Sequence, residues 1–122
     1  MIPTPAAGRA STALVFERDG HRCLHCGTGD QLSPQHRRNR GMGGTSAAAL
    51  HAPSNVVTLC WPANSAMESD VAAAAEGRRY GWKLDRDQDP ATTPVYDAAA
   101  GLWYLLRDDY GRDHAAPLEV RP

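Results

Sequence analysis

Three cysteines constrain this chain more than any other feature: Cys23-Leu24-His25-Cys26-Gly27, and then Cys60. Two intervening residues let both thiolates of a tight knuckle reach one tetrahedral ion, and Gly27 permits the turn that follows. The stretch Met1-Ile2-Pro3-Thr4-Pro5-Ala6-Ala7 lacks the basic region and apolar run of a secretion signal. The expectation is therefore a cytoplasmic protein, where reducing conditions favour zinc over a disulfide. An odd cysteine count also speaks against a disulfide-stapled interaction protein. A complete structural zinc site wants a fourth ligand near Cys60, yet the residue three positions on is Ala63. Zinc would then be held by three thiolates and water, or would recruit His21, His25 or Ser65. The alternative is that the cysteines are free and partly buried, behaving as small hydrophobes.

The chain is 122 residues long, one domain by size, with nine Pro, eleven Gly and a single Phe. Short elements and irregular connections follow, in a fold small enough to profit from a metal. No apolar run approaches the roughly 18–20 residues that span a bilayer, so no membrane association is expected. Net charge is −1, but its distribution is uneven. Residues 1–60 hold six Arg against three acidic groups, a balance of +3, and residues 61–122 stand at −4. That asymmetry points weakly to a polyanion facing the first half, against the alternative of an ordinary mixed surface.

Ser11 to Arg18 reads as a short helix with Ser11 as N-cap, ended by Asp19-Gly20. Leu32 to Arg37 reads as a short strand despite Pro34, and Asn39 to Ser54 as a long Gly/Ala/Ser-rich loop. Val56-Val57-Thr58-Leu59 is the clearest strand. Pro62 stands where a helix would start, and Ala63 to Arg79 continues it, with Met67 and Val71 four apart. Pro94-Val95-Tyr96 and Leu102 to Leu106 form a hairpin, and the tail from Asp108 is read as frayed. Trp61, Trp82, Trp103 and Tyr104 are assigned to packing rather than to base stacking.

The order of pieces is what carries a resemblance. After the knuckle come Gln35-His36-Arg37-Arg38-Asn39-Arg40-Gly41-Met42-Gly43-Gly44, then Asn55-Val56-Val57-Thr58-Leu59-Cys60, then Asn64-Ser65-Ala66-Met67-Glu68. Over roughly residues 11–106 the chain resembles the HNH (ββα-metal) endonucleases, especially small phage-encoded ones from actinobacterial hosts. The resemblance implies an α+β fold: a ββα-metal domain over 11–84 with a zinc knuckle, a C-terminal hairpin extension and tail over 85–122, and a flexible N-terminus over 1–10. It implies His36 as the general base, Asn55 orienting it, and Asn64 at the metal-ligand position that the family gives to its last histidine. Gln35 stands where a metal-binding His or Asp often precedes the base.

The chemistry stands on its own terms. Hydrolysing a phosphodiester needs water deprotonated near neutral pH, which suits imidazole, and a cation on the phosphate oxygens. Amide oxygens of Gln35 and Asn64 suit Mg²⁺ or Mn²⁺ but add no charge, so Glu68, four residues after Asn64 and on the same helical face, is drawn in as a metal ligand. The bland reading of Glu68 is a solvated surface carboxylate. Arg37, Arg38 and Arg40 beside the base suit phosphate contacts. Two functions follow: a metal-dependent DNA endonuclease, whose phage relatives act beside the terminase in genome packaging or in homing, and a degenerate zinc-knuckle module that binds nucleic acid without cutting it.

Overall fold

The computed structural model describes residues 10–39 and 47–119. Arg40, the glycines at 41, 43 and 44, and nearly all of the N-terminal segment 1–10 lie outside the described residues.

The chain is a small α+β domain with two antiparallel sheets. Helix α1 (Thr12–Arg18) begins where Ser11 Oγ accepts the Leu14 N–H, the expected N-cap. The knuckle leads to β1 (Leu32–His36), which pairs antiparallel with β2 (Val56–Cys60) in the register Leu32 to Cys60 and His36 to Val56. Pro34 is tolerated because a two-stranded sheet has only edges. Between the strands lie a single helical turn, α2 (Ala47–Leu50), and a 3₁₀ turn at Pro53–Asn55, so the far half of the expected loop is structured.

All five residues of β2 are buried. Val57 and Leu59 are fully enclosed, each contributing about 1.5–3 kcal/mol of transfer free energy. Helix α3 (Trp61–Ser69) follows β2 without a linker, with Pro62 in its first turn. The helix expected through Arg79 is in fact two. Asp70 adopts extended dihedrals, ends α3, and caps α4 (Val71–Arg79) by accepting the Ala73 N–H. Val71, expected on the apolar face with Met67, is 85% exposed.

The C-terminal part is a three-stranded sheet, β3 (Val95–Asp97), β4 (Leu102–Leu106) and β5 (Arg112–His114). The expected hairpin is present, but the tail is not frayed at its start. Arg112 lies 3.6 Å over the Tyr104 ring and reaches Asp97 at 3.0 Å, holding β5 in place. Val95 and Leu106 share one core with Cys23, Leu59, Met67 and Trp82. β3 and β4 thus pack into the same core as β2 and α3. No helix among the described residues is long and apolar enough to cross a membrane.

Candidate functional site

The three cysteines converge. Their sulfurs lie within 4.8 Å of one another, with Cys26 and Cys60 at 3.7 Å. Tetrahedral zinc with Zn–S bonds of about 2.3 Å would set sulfurs about 3.8 Å apart, so the spacing fits the ion. The knuckle is shaped by two backbone bonds, Cys23 N–H to Thr28 O and Gly27 N–H to Cys23 O, with Gly27 at φ +78°. Cys60 arrives from β2, one residue before α3. All three are free thiols. Burial pushes the Cys23 thiol up to about 11. At Cys26 burial acts in the same direction, but the Thr28 backbone and the His25, Cys23 and Cys60 side chains outweigh it and leave that thiol below its usual value. Deprotonated together, three sulfurs this close would need a cation among them. Among the described residues this is the one group of three or more His, Cys, Asp or Glu able to hold a metal.

His36 is the last residue of β1, half-buried, and its Nε2 lies 3.1 Å from Nδ1 of His51. The two rings meet edge to face at 5.1 Å between centroids. Asn55, fully buried, bonds elsewhere. Its Oδ1 accepts the Arg38 N–H, and its amide donates to Arg38 O and Leu50 O. The expected orienting role is therefore corrected: both amide N–H groups are spent on backbone, and Asn55 fixes His36 only through the chain that follows it. His51 was missed in the sequence because nothing in the Ala-rich loop marks it.

The proposed metal pair also takes a different form. Asn64 and Glu68 do share a helical face, but Lys83 Nζ sits 3.1 Å from both Asn64 Oδ1 and Glu68 Oε1. A fixed ammonium already supplies the charge that a divalent ion would bring to those oxygens. Gln35 donates its amide to Ser33 Oγ at 2.7 Å, and strand alternation sends it to the opposite face from His36. As these side chains stand, Lys83 meets Asn64 and Glu68 where a divalent ion was expected, and Gln35 is turned to Ser33.

Arg37 is a further correction. Its guanidinium is 1% exposed, and its five N–H donors meet the carbonyls of Gly81, Ser54, Pro90, Thr93 and Pro94 at 2.7–3.3 Å. Burial, reinforced by Arg18, lowers it to about 9, which leaves it charged at neutral pH. Such a group has no donor left for a phosphate. Gly81, at φ +77°, is required here: a Cβ would stand 2.1 Å from Pro94 O. Arg18 is buried too, spanning Asp19, Pro53 O and Val56 O. Two of the six arginines behind the positive first half are thus internal struts. Arg38 is half-buried, with one amine on Arg86 O.

No family model, no curated protein and no solved structure matches the chain.

Proposed function

We propose that the protein hydrolyses phosphodiester bonds in DNA, with His36 as general base, on a ββα scaffold of the HNH type. The observation that carries this reading is the His36–His51 pair at the end of β1, on a hairpin whose second strand runs directly into α3. An imidazole whose far nitrogen is hydrogen-bonded to a second imidazole is held in one orientation, as a base that must meet a water molecule requires. In the step, His36 takes a proton from water, the oxygen attacks phosphorus, and the bond to the departing sugar oxygen breaks. Arg38, two residues after the base, is half-buried with one amine on Arg86 O, and is the described arginine assigned here to a phosphate. The three cysteines would hold zinc as a structural ion that pins the knuckle to the start of α3.

One observation favours a second reading, a module that binds nucleic acid without cutting it: Lys83 fills the cation position between Asn64 and Glu68. Incubating the full chain with supercoiled plasmid in Mg²⁺, in Mn²⁺ and in EDTA separates the two. Nicking that disappears in His36→Ala supports hydrolysis. Retarded plasmid that stays uncut under all three conditions supports binding alone.

A further inference from the structure

The backbone brings the knuckle and the end of β2 together. Leu24 N–H donates to Thr58 O at 3.0 Å, which sets the residues after Cys23 beside the strand that ends in Cys60. The three sulfurs are not equivalent in that arrangement. Cys23 is fully enclosed, and its backbone is tied on both sides, N–H to Thr28 O and carbonyl to the Gly27 N–H. Cys60 is buried at the junction of β2 and α3. Cys26 is the exposed member of the three, and its Sγ lies 3.7 Å from Cys60 Sγ. The cluster therefore pairs one thiol that a solute can reach with one that it cannot.

Oxidation of thiols follows their exposure, and a sulfenic acid condenses with a neighbouring thiol. We propose that Cys26 and Cys60 are a redox pair: a hydroperoxide oxidises Cys26, and Cys60 closes a disulfide onto it. With hydrogen peroxide, Cys26 Sγ first attacks one peroxide oxygen. The O–O bond breaks, leaving Cys26 as a sulfenic acid and releasing one water. Cys60 Sγ then attacks the Cys26 sulfur, the S–O bond breaks, and the hydroxyl departs with the Cys60 proton as a second water. The two sulfurs lose two electrons between them, and the peroxide gains two. Disulfide sulfurs stand about 2.05 Å apart, so the gap closes through under about 2 Å of movement. Cys23 is left as a single thiol. The bridge fastens the knuckle to the start of α3, the same two segments that a metal on the cluster would join. It also takes up two of the three thiolates that zinc would use, so bridge and metal exclude each other. The pair does not depend on nuclease activity.

The test treats the intact chain, freed of metal by a chelator, with hydrogen peroxide and reads the products by alkylation and peptide mass mapping. The expected product is a monomer two hydrogens lighter, with the Cys26 and Cys60 peptides joined and Cys23 alkylated. A dithiol reductant should return all three thiols. Cys60→Ser should halt the reaction after its first step, leaving a Cys26 sulfenic acid that a cyclic diketone captures. Cys26→Ser should leave Cys60 reduced, because the oxidant cannot reach it. In the wild-type chain, prior saturation with Zn²⁺ should slow bridging by at least about tenfold, since a metal-bound sulfur is not free to attack. A bridge between Cys23 and Cys26 as the main product, a disulfide between two chains, or three thiols that survive peroxide unchanged would each overturn the pair. Bridging at the same rate with Zn²⁺ would overturn the exclusion of bridge by metal.

Discussion

Nε2 of His36 and Nδ1 of His51 stand 3.1 Å apart, so the chain returning from β1 lays a second imidazole against the first. One of the two nitrogens donates and the other accepts, which fixes the orientation of both rings. His36→Ala should lower plasmid cleavage by about 10²–10⁴-fold with DNA affinity nearly unchanged. His51→Ala should lower kcat less, leave KM alone, and displace the pH–rate profile, with His51→Gln recovering part of the rate. Full activity in His36→Ala would remove the base from the mechanism. An unshifted pH profile in His51→Ala would reduce His51 to packing.

Arg37 and Arg38 are neighbours in different surroundings, one fully buried and one half-buried. Arg37→Ala strands five carbonyls that share one guanidinium. At about 1–3 kcal/mol per buried polar group left unpaired, the loss should exceed about 3 kcal/mol in urea unfolding. Arg37→Lys should not rescue it, because an ammonium has three donors and no planar fork. Arg38→Ala should leave stability nearly intact and make the salt dependence of DNA binding shallower by about one unit. A well-folded Arg37→Ala protein that binds DNA weakly would return Arg37 to the interface.

Much of this was legible in the chain, and the failures have physical causes. Ser11, Pro62 and the run Val56 to Leu59 speak locally, through a cap, a helix start and a β-branched strand, and the structure places them as read. Asp70 could have been read as a cap, but the alanines around it satisfy a helical pattern on either side. β5 is polar and three residues long, and depends on Arg112 meeting Tyr104 and Asp97. The Cys23–Cys26 spacing marked the knuckle at short range, and Cys60 joins it from 34 residues on. The partners of Arg37 and Lys83 lie up to 57 residues away in sequence, where spacing carries no signal. Charge alone could not tell a strut from a phosphate contact.

Metal removal should loosen the fold from the knuckle outward. Chelation should lower the melting temperature, and Cys23→Ser should lower it to the same value and abolish the response to chelator. The pH dependence of the metal-free chain has a defined sign. Burial raises the Cys23 thiol from 9.0 to about 11, so the folded state holds that proton more tightly than the unfolded state does. Its stabilising effect is complete below pH 9 and is lost as pH rises through about 11. Comparing wild type with Cys23→Ala, both without metal, isolates this contribution. With zinc bound the sulfur is already ionised, and the loss over that range should vanish. Identical alkaline behaviour with and without zinc would mean that Cys23 is not a ligand.

The last prediction concerns Lys83, whose ammonium joins Asn64 Oδ1 and Glu68 Oε1. If that ammonium serves in place of a divalent ion, Glu68→Gln should not raise the Mg²⁺ or Mn²⁺ concentration needed for half-maximal cleavage. Lys83→Met keeps the length and most of the volume of the side chain while removing its charge. Glu68 is 52% exposed at its side chain, so the broken ion pair should cost at most about 1 kcal/mol, and stranding the buried Asn64 Oδ1 adds about 1–3 kcal/mol. With the ammonium gone, the carboxylate and the amide oxygen become available to a hard cation. Divalent ions should then bind more tightly to Lys83→Met than to wild type, by calorimetry, and adding Glu68→Gln should erase the gain. Asn64→His in the Lys83→Met background should shift preference towards transition metals, since imidazole suits them better than an amide does. A wild-type midpoint that rises in Glu68→Gln would show that Glu68 leaves Lys83 to ligate the ion, and the ammonium would then be a resting-state partner rather than a replacement.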